Sequence, residues 1–223
     1  MCNLYSMTRA TQAIGDLFRV PRNRLMQFDP LPAIFPGHAA PVVRRAEDGE
    51  REMASMSWGF VLVQPGKAPR RVTNTRDDKV SSRFWRTSLE QRRCLVPATS
   101  FCEPNDGRGP GERATWHWFA LVGDEPRPLF AFAGLWQRWR GPIKKDGPNV
   151  ELDVYSFMTT EPNGATASIN HERSPVLLAT DEARDTWLTG STAEALALAR
   201  PIDGTWLRIV RAGLEKADAI APL

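Results

Sequence analysis

No apolar run in this 223-residue chain approaches the roughly 18 residues that a membrane-crossing helix needs. The first twenty residues hold no basic stretch followed by an apolar one, so no secretory leader is expected, and a cytoplasmic location is. Cysteine is scarce: Cys2, Cys94 and Cys102 form neither an even disulfide set nor a CxxC pair. In a reducing compartment they are expected as free thiols. The three histidines, His38, His117 and His171, lie far apart and lack metal-ligand spacing, so no metal site and no cofactor are expected. Repeats and domain linkers are missing too. With 42% hydrophobic and 25% charged residues the composition is that of a globular chain, read as one domain over residues 1–223.

What is present is unevenly placed. Between Lys67 and Arg93 nine basic residues face three acidic ones, a local charge of +6 in a chain whose net charge is +3. The remainder is therefore mildly acidic. A basic segment set in an acidic background points to a polyanion-binding face, although an arginine-rich surface loop would look the same. Eight tryptophans stand against two tyrosines, and most rings of that size belong in a core.

Residues 8–19 read as a helix capped by Thr8, with Ala10, Ile14, Leu17 and Phe18 on one face. Residues 20–50 are rich in proline and lack periodicity, which suggests an extended connection. Strands are expected at 57–63, 93–97, 115–122, 128–136, 152–159, 176–178 and 205–211, most bounded by Gly, Pro, Asn or Asp. Segments 103–113 and 140–149 read as surface loops. Two short helices are expected at 181–188 and 192–200, the second capped by Ser191 or Thr192. The pattern predicts an α+β fold: a strand-rich domain of coiled, mostly antiparallel sheets with a few peripheral helices.

Cys2 carries the sharpest chemistry. Loss of Met1, by an aminopeptidase or by self-cleavage, would leave a free α-amine beside the thiol. An α-amine has a pKa of about 7.7–8.0, so a useful fraction is neutral near pH 7. Such a 1,2-aminothiol attacks an aldehyde through nitrogen to give an imine. The thiol then closes on the imine carbon in an effectively intramolecular step, forming a thiazolidine. An N-terminal cysteine can equally serve as an acyl-transfer nucleophile.

Four separated pieces then converge: Met1-Cys2, Asn74-Thr75-Arg76 after Trp58-Gly59, Cys94-Leu95-Val96-Pro97 leading to Glu103, and His171-Glu172-Arg173-Ser174-Pro175-Val176. In this order and spacing the chain resembles the SRAP family, the SOS response-associated peptidase-like proteins. The resemblance implies a monomeric sensor of abasic sites in single-stranded DNA, nucleoid-associated when bound. It would crosslink Cys2 to the ring-opened sugar as a thiazolidine, and the same fold is credited with autoproteolysis. By position Cys2 matches the nucleophile, Asn74 the motif asparagine, Glu103 the active-site glutamate and His171 the motif histidine. Arg76 matches a phosphate-binding arginine, and Arg83 matches a second at a spacing one residue short. Asn3, Asp78 and Pro104 depart from the family pattern.

Each assignment has a plainer alternative. Glu103 could shuttle protons if partly buried among aromatics such as Phe101, or be an exposed loop acid. His171 can donate or accept a proton near neutrality, or be a turn residue. Asn74 can orient the amine or the aldehyde oxygen, or simply form a turn. Arg173 could meet phosphate or a carboxylate. Trp58 and Trp85 are the candidates for base stacking, worth about 1–3 kcal/mol per base, whereas Trp116, Trp118, Trp136 and Trp139 are expected in the core. Two other functions are compatible with the same residues, an N-terminal-nucleophile amidohydrolase or glutamine amidotransferase and a noncovalent DNA-binding module.

Overall fold

A computed structural model describes residues 2–105 and 114–218. Its centre is a closed ring of five strands. Val150–Thr160 pairs with Arg51–Trp58, which pairs with Ala39–Arg45, then Arg93–Ala98, then Phe130–Gly141, and this last strand returns to Val150–Thr160. Closure removes the sheet edge and buries inner strands on both faces. Hence Phe130 to Leu135 are all buried, without the alternation of a half-exposed strand. Gly134 stands directly opposite Cys94 in the paired strand Arg93–Ala98. A Cβ there would lie 2.7 Å from Cys94 Sγ and 2.9 Å from Cys94 O. The outer side is covered by the helix Asp181–Thr189, whose Trp187 Nε1 donates to Cys94 O at 2.9 Å and Gly134 O at 3.1 Å.

The short strand Asn74–Arg76 adds to the ring in parallel beside Val150–Thr160, with Asn74 opposite Phe157 and Arg76 opposite Thr159. A second, antiparallel sheet runs in the order Leu207–Gly213, Trp116–Leu121, Ser100–Pro104, Tyr5–Met7, Leu31–Ile34. Aromatic rings weld the two sheets together. Tyr5 meets Trp58 and Phe132 edge-on at 5.1 and 5.5 Å, and Phe101 meets Phe132 edge-on at 6.2 Å; within the second sheet Phe101 stacks on Phe119 at 5.2 Å, and within the ring Phe132 stacks on Phe157 at 4.3 Å. The Tyr5 and Tyr155 hydroxyls, both buried, share a 2.5 Å hydrogen bond. Ser6 donates to Asp218 at 3.2 Å and Ser100 does so at 2.5 Å, and Arg127 pairs with the same carboxylate. This network holds the first strand from behind.

The α+β, mostly antiparallel character matches the sequence pattern, and the expected strands appear with shifted ends. Four details differ. The first helix is Thr11–Phe18, because the Thr8 hydroxyl bonds Thr99 Oγ1 at 3.2 Å instead of capping it. Residues 20–50 contain two strands, Leu31–Ile34 and Ala39–Arg45. The 57–63 run is broken at Gly59 (φ +109), where a Cβ would lie 2.8 Å from Arg71 Cβ. The 103–113 loop begins two residues late, since Glu103 and Pro104 are still in a strand, and residues 106–113 lie outside the described ones. Ser191 does cap the last helix, in a reciprocal arrangement with Glu194. No helix among the described residues is long and apolar enough to cross a membrane.

Candidate functional site

The second sheet delivers the first site residues. Tyr5–Met7 lies between Ser100–Pro104 and Leu31–Ile34. This fixes the preceding residues, and Leu4 O accepts from Cys102 N at 2.9 Å. Cys2 is fully buried, its thiol directed to Leu4 O at 3.5 Å. Burial, and after it the charge of Glu103, push the Cys2 thiol well above its ordinary pKa.

Glu103 projects from Ser100–Pro104 and is 1% exposed. His171 Nε2 lies 3.1 Å from its Oε2. Neither carboxylate oxygen has an aligned hydrogen-bond donor among the described residues. A buried carboxylate left so short of donors is costly in folding terms. His171 is presented by a tight local structure. Asn163 caps the short helix Gly164–Ala167 and donates to Ser174 Oγ at 2.9 Å. Asn170, at φ +55, then turns the chain so that His171 N bonds back to Thr166 O at 3.2 Å. Asparagine is among the few side chains that adopt this left-handed backbone readily.

Asn74 is buried, and its amide nitrogen and oxygen also lack partners among the described residues. Its neighbour Thr73 is held three ways: its carbonyl accepts from Trp58 Nε1 at 3.0 Å and Ser156 Oγ at 2.9 Å, and its hydroxyl donates to Asn3 Oδ1 at 2.9 Å. Asn3, a departure from the expected pattern, thus ties the first residues to the Asn74 strand. Cys2, Glu103 and His171 are brought together, and Asn74 flanks the same N-terminal segment.

The expected DNA contacts divide. Trp58 is fully buried against Phe157 at 5.2 Å, and Trp85 is buried against Phe60 at 4.7 Å and Phe84 at 4.6 Å. Neither ring has a face free for a base; Trp58 instead orders the backbone before Asn74. Arg173 pairs with Asp77 at 2.6 Å and donates to Thr159 O at 2.5 Å. Arg76 is exposed and forked onto Asp78 by two bonds of 2.9 Å. Arg83 is exposed and makes no ion pair among the described residues. It lines an open cleft of about 880 Å³ with Phe84, Trp139, Arg138 and Arg140. This cleft, and the pairing of Asp77 with Arg173, went unforeseen, because both join segments more than 50 residues apart. No cluster of three or more His, Cys, Asp or Glu among the described residues is placed to hold a metal.

Several known proteins share part of this sequence or its fold. The chain is 29% identical over 154 residues to the abasic site processing protein YoqW of Bacillus subtilis, covering 64% of this chain and 59% of that one. It is 28% identical over 185 residues to the abasic site processing protein HMCES of Gallus gallus, covering 73% of this chain and 53% of the relative. It therefore spans little more than half the length of these relatives. A crystal structure of a Bacteroides thetaiotaomicron protein superposes with a TM-score of 0.70 at 20% identity, over 94% of this chain and 92% of that one. One from Bordetella bronchiseptica gives 0.70 at 21%, over 95% and 98%. Both show the same fold. The model of the SOS response associated peptidase (SRAP) family matches residues 1–213, and the chain belongs to that family.

Proposed function

We propose that this chain recognises abasic sites in single-stranded DNA and joins itself to them through Cys2, once Met1 is gone. The observation that carries the reading is the buried Glu103–His171 pair beside a buried Cys2 thiol, with carboxylate oxygens that have no aligned donor among the described residues. The names of the relatives support the substrate.

Burial and Glu103 keep the thiol protonated, so the Cys2 α-amine acts first. Its lone pair attacks the aldehyde carbon of the ring-opened sugar, and the carbinolamine loses water to give an iminium. Glu103 and His171 move the protons that this dehydration requires. The positive iminium then favours ionisation of the adjacent thiol. Sulfur adds to the imine carbon, and the nitrogen recovers its electron pair. The net change is one thiazolidine formed and one water released. Asn74, whose two polar atoms have no partner among the described residues, orients the amine or the departing oxygen without adding charge. Arg76 and Arg83 hold the phosphates on either side. For Arg76 this means exchanging Asp78 for a phosphate oxygen. Self-removal of Met1 would draw on the same Glu103–His171 pair.

The test is an intact mass of the purified chain, alone and after incubation with abasic single-stranded DNA. It should show Met1 lost and a stable adduct equal to the DNA mass less one water. Cys2→Ser should retain at most a reversible imine. Heat-stable crosslinking by a Cys2→Ala chain would rule the mechanism out.

A further inference from the structure

The proposed reaction begins at the chain end, where order is hardest to keep, because the first residues of a domain fray unless something ties them down. Once Met1 is gone, the attacking α-amine belongs to the terminal residue, just ahead of the first strand, Tyr5–Met7. Between them, Leu4 O accepts from Cys102 N at 2.9 Å, and the Cys2 thiol turns back to the same carbonyl at 3.5 Å. The second of these bonds lies within the segment and ties it to nothing else.

Asn3 supplies a further tie. It is exposed, and its Oδ1 accepts from Thr73 Oγ1 at 2.9 Å, across 70 residues of sequence. Thr73 is a firm post for it. The Thr73 carbonyl accepts from Ser156 Oγ at 2.9 Å and from Nε1 of the fully buried Trp58 at 3.0 Å. The next residue, Asn74, enters the parallel ladder opposite Phe157. The Asn3–Thr73 bond therefore joins the immediate neighbours of two groups that the proposed reaction brings together, the Cys2 amine and the Asn74 amide. A residue without a side-chain acceptor at position 3 would leave this link unmade.

We infer that Asn3 is a positioning residue, which holds the Cys2 α-amine beside Asn74 through the Thr73 hydroxyl. This rests on the crosslinking function proposed above. A free chain end spreads its amine over many directions, whereas attack on an aldehyde carbon needs one approach, with the reacting atoms about 3–3.5 Å apart. The tie raises the fraction of time that the amine spends in that approach. It transfers no proton and forms no bond to the DNA. Neither partner is charged, so attraction to phosphates does not depend on it.

The experiment is a single-turnover course on saturating abasic single-stranded DNA, quenched in denaturant. It compares Met1-free parent, Asn3→Ala, Thr73→Val, the double variant and Thr73→Ser. A noncovalent titration with undamaged DNA and deuterium uptake by the N-terminal peptide run beside it. Asn3→Ala and Thr73→Val should each slow crosslinking about two- to tenfold, the worth of one hydrogen bond of ordinary net strength. Both should bind undamaged DNA like the parent and take up deuterium faster at the N-terminal peptide. The double variant should be no slower than the slower single one, since both changes remove the same bond. Thr73→Ser keeps the hydroxyl and should crosslink at the parent rate. Parent-rate crosslinking by Asn3→Ala, a double variant slowed by the product of the two single effects, or slowing by Thr73→Ser equal to that of Thr73→Val would each overturn the inference. In those cases the parent still crosslinks and the proposed function stands; a parent that forms no adduct would overturn both.

Discussion

Replacing Glu103 with glutamine separates two effects that the site combines with opposite signs. The substitution keeps the shape of the side chain and removes its charge. That charge is the second cause, after burial, of the raised Cys2 thiol pKa, so the thiol should ionise more readily in Glu103→Gln while staying above its ordinary value. If thiol ionisation limited crosslinking, the variant would be faster. If proton transfer through Glu103 limits it, the variant should be slower by roughly a hundredfold or more, about 2.7 kcal/mol of barrier at 1.36 kcal/mol per decade. The second outcome is expected, because Glu103 is paired with His171 at 3.1 Å. Affinity for undamaged DNA should not fall, since the change removes a negative charge. Two assays are needed on the same sample: the pH dependence of Cys2 alkylation, read by peptide mass, and a single-turnover crosslinking course quenched in denaturant. A more readily ionised thiol together with unchanged or faster crosslinking would refute the role assigned to Glu103.

Other expectations follow from geometry. Arg76→Ala should lower the salt slope of single-stranded DNA binding by about 0.7 for each phosphate it no longer neutralises, and Asp78→Asn, by releasing the Arg76 fork, should tighten binding at low salt. Gly134→Ala should destabilise the fold by about 1–3 kcal/mol in urea titrations, the usual scale of overpacking, because its Cβ would sit 2.7 Å from Cys94 Sγ. For Asp77, burial raises the carboxyl pKa, but hydrogen bonds from Arg173 and Thr160 outweigh it and leave the group below its ordinary 3.8. A depressed folded-state pKa stabilises above the unfolded value and is lost as pH falls through the folded one. Asp77→Asn should accordingly cost about 1 kcal/mol or less near neutrality, and the gap to the parent should close below pH 3.8.

Local chemistry was legible in the sequence; long-range register was not. Ser191 with Glu194 marks a helix start that the structure keeps. The Thr8 cap is absent because Thr99, over 90 residues away, takes its hydroxyl. The strand Ala39–Arg45 escaped detection because Val42 and Val43 are buried together with Ala40 and Pro41, which erases the alternation that marks a one-faced strand. Within the site, Cys2, Asn74, Glu103 and His171 were found as residues, but the Glu103–His171 contact joins a strand to a distant turn that no spacing rule connects. The tryptophans misled for a related reason. Trp58 beside a glycine and Trp85 in a basic stretch look exposed until their partners are known, such as the hydrogen bond from Trp58 Nε1 to Thr73 O and the Phe60 and Phe84 rings against Trp85.

The hold on the strand Tyr5–Met7 also sets an order of events during synthesis. Its neighbours are Leu31–Ile34 and Ser100–Pro104, and Ser6 reaches Asp218. Contacts of such sequence separation form late, after the loops between them have closed. The first residues to leave the ribosome are thus among the last to be locked in place. Cys2 meets Glu103 and His171 only when nearly the whole chain has emerged. Until then a nascent chain carries Cys2 without the Glu103 and His171 that the proposed reaction uses.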